Sequence, residues 1–172
     1  MDERIVAKIR KNATKEIWVV LTDYSGELRL DLRERFQGDD GGFLPTKKGV
    51  AIQLSELPAL AAALQDLIGA MGLGTVATFG RTAKAEIRAS ICSYEGHSYA
   101  EVRRFIRTGG SEEWKHGKGV TLNQALVPSL FSAVQDAIEL TKVDAASKSR
   151  RDEAGGVRAS AKTSRAKARR RS

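Results

Sequence analysis

The 172 residues carry a formal net charge of +8, with 41% hydrophobic and 29% charged residues, a composition ordinary for a folded chain and unlike a fibrous or fully disordered one. The positive surplus is segregated: from Lys142 onward there are eleven Lys or Arg against three acids, while the residues before it carry eighteen of each sign, a pattern that points to an anionic partner such as nucleic acid. Cys92 is the only cysteine, which excludes an intrachain disulfide or a Cys-rich zinc site and favours a reducing compartment.

The amino-terminal Met-Asp-Glu-Arg-Ile run lacks a signal pattern, and the longest apolar stretch, Leu57 to Met71, is too short to span a bilayer and contains Gln65 and Asp66. A cytoplasmic protein without membrane contact is expected, nucleoid-associated in a bacterium or nuclear in a eukaryote.

Shifting the chain against itself by seventy positions aligns two segments without a gap. Glu16-Ile17 meets Glu86-Ile87, Tyr24-x-Gly26 meets Tyr94-x-Gly96, and Arg33 meets Arg103. Lys48-Gly49-Val50 meets Lys118-Gly119-Val120, and Pro58-x-Leu60 meets Pro128-x-Leu130. The expected organisation is therefore a first unit over 1–71, a second over 72–141, and a basic tail over 142–172.

In the first unit, Ile17, Val19 and Leu21 alternate with Trp18, Val20 and Thr22, the period of a strand with one buried face. Tyr24-Ser25-Gly26 makes a hairpin turn. The next strand sets Leu28, Leu30 and Leu32 on the core side and Arg29, Asp31, Arg33 and Arg35 on the other. A polar loop over Gln37 to Thr46 leads to a short strand, Gly49 to Leu54. Ser55 is placed to cap a helix whose stripe is Leu57, Leu60, Leu64, Leu67, Ile68 and Met71, one helix covering one sheet.

The second unit reads as strands near Val76 to Thr82, Glu86 to Tyr94, His97 to Ile106 and Lys118 to Leu122, then a helix around Gln124 to Thr141. Its stripe is Leu126, Leu130, Val134 and Ile138. Gly72-Leu73-Gly74 is the short link between units. Beyond Thr141 large apolar residues nearly vanish, so the tail is expected to be disordered.

The text WVVLTDYSGELRLDLRERF followed by KKGVAIQL, and again SICSYEGHSYAEVRRFI followed by GKGVTL, resembles the positive-cofactor-four family of transcriptional coactivators. The resemblance implies an α+β fold: two tandem units, each a four-stranded curved antiparallel sheet followed by one helix, paired within one chain as a pseudo-dimer. It implies single-stranded DNA as partner, and by position it places base-stacking aromatics at Tyr24, Tyr94 and Phe36, basic strand residues at Arg33 and Arg103, and the motif lysines at Lys48 and Lys118. Ile106 replaces the second aromatic in repeat two, so unequal halves are expected.

A sequence-tolerant binder of unpaired strands needs aromatic platforms interleaved with cations. Lys15, Trp18, Arg29, Arg35 and Lys47 complete that set in repeat one; Arg88, Tyr99 and Phe105 complete it in repeat two, with Trp114 as a substitute ring. The tail adds phosphate contacts without choosing sequence. RNA, locally melted duplex, a further homodimer, and a protein-interaction scaffold touching nucleic acid only through its tail remain alternatives.

No catalysis, cofactor or metal is expected. Cys92 occupies the position of Thr22 and has no acid or second ligand at a known spacing. Gly117-Lys118 fails as a phosphate loop because Glu112 stands where the upstream Gly belongs and Gly119 where Ser or Thr belongs.

Overall fold

Alternating apolar and polar residues produce two sheets of the same design. In the computed structural model, which describes residues 2–169 and side chains as far as Ala154, the first antiparallel sheet runs in the order β1 (Glu3–Arg10), β2 (Lys15–Tyr24), β3 (Glu27–Gln37), β4 (Phe43–Gln53). A single 3-10 turn leads into α1 (Leu57–Gly69). The second sheet repeats the order as β5 (Gly74–Phe79), β6 (Ala85–Tyr94), β7 (His97–Ile106), β8 (Lys115–Asn123), followed by α2 (Val127–Arg169).

The seventy-residue offset extends to the irregularities. The β1–β2 register shifts between Ile5 and Ala7 and the β5–β6 register between Thr75 and Ala77; the β3–β4 register shifts between Arg33 and Arg35 and the β7–β8 register between Arg103 and Phe105. Such bulges bend a strand and increase its twist, so each sheet curves in the same places. The β2–β3 hairpin turns through Ser25 (φ 56°) and Gly26 (φ 85°), and its counterpart through Glu95 (φ 48°) and Gly96 (φ 77°), the paired positive φ values of a type I′ turn. Asp23 Oδ1 accepts from the Gly26 N–H at 2.8 Å and braces the first of these turns.

One face of each sheet forms the core. Ile17, Val19, Leu21, Leu30, Leu32, Val50 and Ile52 are buried in the first repeat with Leu57, Leu60, Leu64 and Leu67 of α1; Ile87, Ile91, Val102, Val120 and Leu122 are buried in the second with Val127, Leu130 and Val134 of α2. Each such side chain contributes about 1.5–3 kcal/mol by leaving water. The repeats share a boundary: β4 lies against β8, and α1 runs beside β5 and β6. Arg104 donates to the Ala51 carbonyl at 2.8 Å, and the Gln124 amide donates to the Leu67 and Ala70 carbonyls at the end of α1 at 3.0 and 2.9 Å.

Several expectations are corrected. β4 begins at Phe43, so the expected loop shrinks to its Gly-Asp portion, where Asp40 accepts from the Gly42 N–H. Glu56, not Ser55, closes the turn before α1 by accepting from the Gln53 N–H. Ile68 and Met71 are 42% and 99% exposed because α1 ends at Gly69 and its buried stripe stops at Leu67. α1 also approaches the second sheet, so coverage is not one helix per sheet. α2 does not end at Thr141 but stays helical to Arg169: Ala, Lys and Arg cost little in a helix, whose backbone bonds are internal and need no buried side chain. Lys142 through Ala154 are all exposed. Residues 170–172 of the expected disordered tail lie outside the described residues. Met1–Ile138 form one compact unit and Glu139–Ser172 a second.

One buried charge braces the first repeat. Glu34, 4% exposed on the core side of β3, accepts from Lys11 Nζ at 2.6 Å, with Lys15 Nζ at 3.7 Å and Lys48 Nζ at 4.0 Å. Burial pushes its carboxyl up, but the Lys11 hydrogen bond and the charges of Lys11, Lys15 and Lys48 outweigh this and hold it below its ordinary value of 4.5. A depressed folded value stabilises above the unfolded value and is lost as pH falls through the folded one. Denaturant titrations across pH should therefore show the wild type losing stability as pH drops below 4.5; Glu34→Gln should be less stable at pH 7 and lack that component of the acid slope. A second stability test concerns Gly119, where an added Cβ would sit 2.5 Å from the Val102 carbonyl oxygen and 2.7 Å from Arg103 Cα. Gly119→Ala should cost about 1–3 kcal/mol in urea unfolding.

Candidate nucleic-acid interface

Because β2 and β3 give one parity to the core, the other parity is left for contact. Tyr24 closes this face at the hairpin, 58% exposed, with the Arg29 guanidinium carbon 5.7 Å from its ring centroid. Arg29 is joined to Glu27 at 2.8 Å, and its buried Nε has no hydrogen-bond partner. Arg33 is fixed more firmly: it donates to Asp31 at 2.8 and 3.1 Å and to the Thr46 carbonyl at 3.0 Å, lying across Gly49, where an added Cβ would meet its guanidinium at 2.9 Å. The glycine of Lys48-Gly49 is thus a close-approach residue, with Lys48 exposed beside it.

A depression of about 270 Å³ lined by Tyr24, Arg29 and Arg33 shares both arginines with a cleft of about 780 Å³ between the repeats. Arg29, Arg33, Arg81, Arg104 and Lys118 line that cleft, with Glu56 as its one acidic lining residue. Strand parity and motif position mark Arg29, Arg33 and Lys118 in the sequence but not the other two. Arg104 sits at core parity, equivalent to Glu34, and Arg81 lies just beyond the end of β5; neither pattern marks a surface cation.

At the opposite end of each outer face, rings and cations interleave around a buried glutamate. In repeat one Trp18 Nε1 donates to Glu16 at 2.8 Å, Lys8 Nζ and the Arg35 guanidinium each lie 4.2 Å from the Trp18 ring, and Phe43 is 6.5 Å away. Arg10 pairs with Glu16 at 3.2 Å. In repeat two Arg88 donates to Glu86 at 2.6 Å and lies 4.1 Å from Phe105, Arg107 lies 4.7 Å from Trp114, and Arg81 pairs with Glu86 at 3.3 Å. Phe105, expected as a platform, is only 9% exposed, held between Arg88 and His116, whose ring is 4.8 Å away.

The remaining residues are dispersed. Phe36 is 41% exposed, opposite Lys15 and Leu44, on the strand parity of Glu34 rather than that of Trp18 and Tyr24. Lys47 is exposed. In repeat two Tyr94 is 67% exposed, Tyr99 is half-buried opposite Cys92, and Arg103 pairs with Glu101 and donates to the Gly117 carbonyl at 2.9 Å. Among the described residues no group of His, Cys, Asp or Glu has metal-site geometry, and no helix is long and apolar enough to cross a membrane.

Comparison with known proteins places this geometry. Residues 11–63 match the family model described as Transcriptional Coactivator p15 (PC4). Curated proteins give no match. Among solved structures, a PC4 homolog from Burkholderia pseudomallei K96243 is 28% identical over 41% of this chain and 95% of its own, with a TM-score of 0.39. A bacteriophage T5 homolog of the eukaryotic transcription coactivator PC4, implicated in recombination-dependent DNA replication, is 15% identical over 40% of this chain and 80% of its own, with a TM-score of 0.35. WHY1 from Arabidopsis thaliana is 7% identical over 80% of this chain and 84% of its own, with a TM-score of 0.36. Over residues 11–63 the first repeat is thus similar to the family described as Transcriptional Coactivator p15 (PC4), and the second repeats the same strand order seventy residues further along.

Proposed function

We propose that the chain holds single-stranded DNA, making and breaking no bond, in transcription regulation, replication or repair. The observation that carries this is the continuity from the exposed Tyr24 ring through Arg29 and Arg33 into a cleft lined by five cations. An unpaired strand offers base faces and phosphates together, whereas a duplex keeps its bases stacked inside. Tyr24 and Tyr94 supply faces for bases, each stack being worth about 1–3 kcal/mol; the cleft cations take phosphates.

The halves contribute unequally. Repeat one adds the exposed Phe36, with Lys15 and the Lys47-Lys48 pair beside it, where repeat two has Ile106, 47% exposed and lining the cleft. The basic extension beyond Thr141 adds sequence-independent phosphate contacts, so affinity falls steeply with salt.

Fluorescence anisotropy with single-stranded and duplex oligonucleotides over a salt series tests this reading. Single strands should bind more tightly; equal or tighter duplex binding would sink it. Tyr24→Ala should weaken single-strand binding roughly tenfold, within the range for one lost stack. Truncation before Lys142 should lower affinity yet keep the preference for single strands, and a body with no affinity left would support the scaffold alternative. An RNA strand that outcompetes DNA of the same sequence would reassign the ligand.

A further inference from the structure

The two ring–cation clusters differ in a way that assigns Trp18 a role. Position 18 is equivalent to 88 and position 35 to 105, yet repeat one has Trp18 and Arg35 where repeat two has Arg88 and Phe105. Ring and guanidinium have exchanged strands, and their separation is nearly unchanged, 4.2 Å in one repeat and 4.1 Å in the other. The buried glutamate two residues before, Glu16 or Glu86, accepts from whichever N–H stands there, indole or guanidinium, at 2.8 and 2.6 Å. What both repeats keep is a cation stacked on a ring, not a ring at a fixed address.

Neither ring is free to receive a base. Trp18 already carries Lys8 and Arg35 at 4.2 Å each, and Phe105 is 9% exposed. Among the described residues, Lys8 and Arg35 have no carboxylate within ion-pair distance, and the Arg35 Nε is buried against the sheet without a hydrogen bond. A ring attracts a cation through its quadrupole but, unlike a carboxylate, leaves the formal charge uncancelled. The contrast with Arg33, whose guanidinium is taken up by Asp31 and a carbonyl, is direct.

We propose that Trp18 is a positioning residue: it holds Lys8 and Arg35 as an uncompensated cation pair that binds backbone phosphate of the strand, and does not itself stack on a base. The proposal rests on the single-strand reading above. It is tested by measuring affinity for an oligothymidylate and for an abasic deoxyribose-phosphate oligomer of equal length, each over a salt series, with folding checked by circular dichroism.

Trp18→Leu should weaken both ligands by the same factor, roughly three- to tenfold for a loosened ring-held cation. It should also flatten the salt dependence as Arg35→Gln does, the logarithmic slope falling by about 0.7 for each phosphate of a single strand that is no longer neutralised. Tyr24→Ala, the contrasting variant, should weaken the thymidylate alone. A Trp18→Leu loss confined to the thymidylate, or no loss on either ligand, overturns the proposal. If Trp18→Leu does not fold, Arg35→Gln and Lys8→Gln decide: equal losses on both ligands support the site, and unchanged binding overturns it. Wild-type protein that binds neither ligand overturns the single-strand reading itself, an outcome distinct from the others.

Discussion

The contact of β4 with β8 is the constraint from which the rest follows, because a four-stranded sheet with one helix is small and each sheet brings one of its two edge strands to the other. Arg104 reaches across to the Ala51 carbonyl and Gln124 across to the end of α1, so side chains of the second repeat bond to backbone carbonyls of the first. The same contact brings Arg29 and Arg33 of one sheet to within one cleft of Arg81, Arg104 and Lys118 of the other. Neither repeat alone has more than three of those cations. The basic surface is a product of pairing, although the body of the chain has no net charge.

A cluster of like charges destabilises a fold unless each member is held, and three kinds of partner do so here. Carboxylates hold Arg33, Arg103 and the three lysines around Glu34. Backbone carbonyls hold Arg104 and Arg107. Rings hold Lys8, Arg35 and, with help from Glu86, Arg88. The first kind cancels the cation's formal charge; the third leaves it uncancelled. That division follows partner chemistry rather than residue type.

Curvature comes from the same few parts. An extra residue in β1 and in β5, and the irregular pairing of β4 and β8 opposite Arg33 and Arg103, recur seventy residues apart. Gly49 and Gly119 sit at the second of these places because a side chain there would collide with Arg33 or with the β7 backbone. The Lys-Gly pair that reads as a binding motif is thus half structural: glycine admits the arginine, and lysine faces out beside it.

Strand parity, the hairpins, the helix stripes as far as Leu67 and Val134, and the seventy-residue repeat were all legible in the amino-acid sequence, since each depends on periods of two or 3.6 residues and on local turn chemistry. Tyr24, Arg29, Arg33 and Lys118 were legible as a surface for the same reason. Partners distant in sequence were not. The exchange of ring and guanidinium between 18/35 and 88/105 requires knowing which strands face each other. Arg104 at a core parity becomes a cleft residue only because another sheet lies beside it, and Phe105 is covered only because Arg88 and His116 reach it from neighbouring strands. The sequence by itself determined which face of each strand is apolar, because alternation is a local property. Tertiary structure decided which exposed-parity residues stay open, because that depends on what the neighbouring strand and the second sheet bring against them.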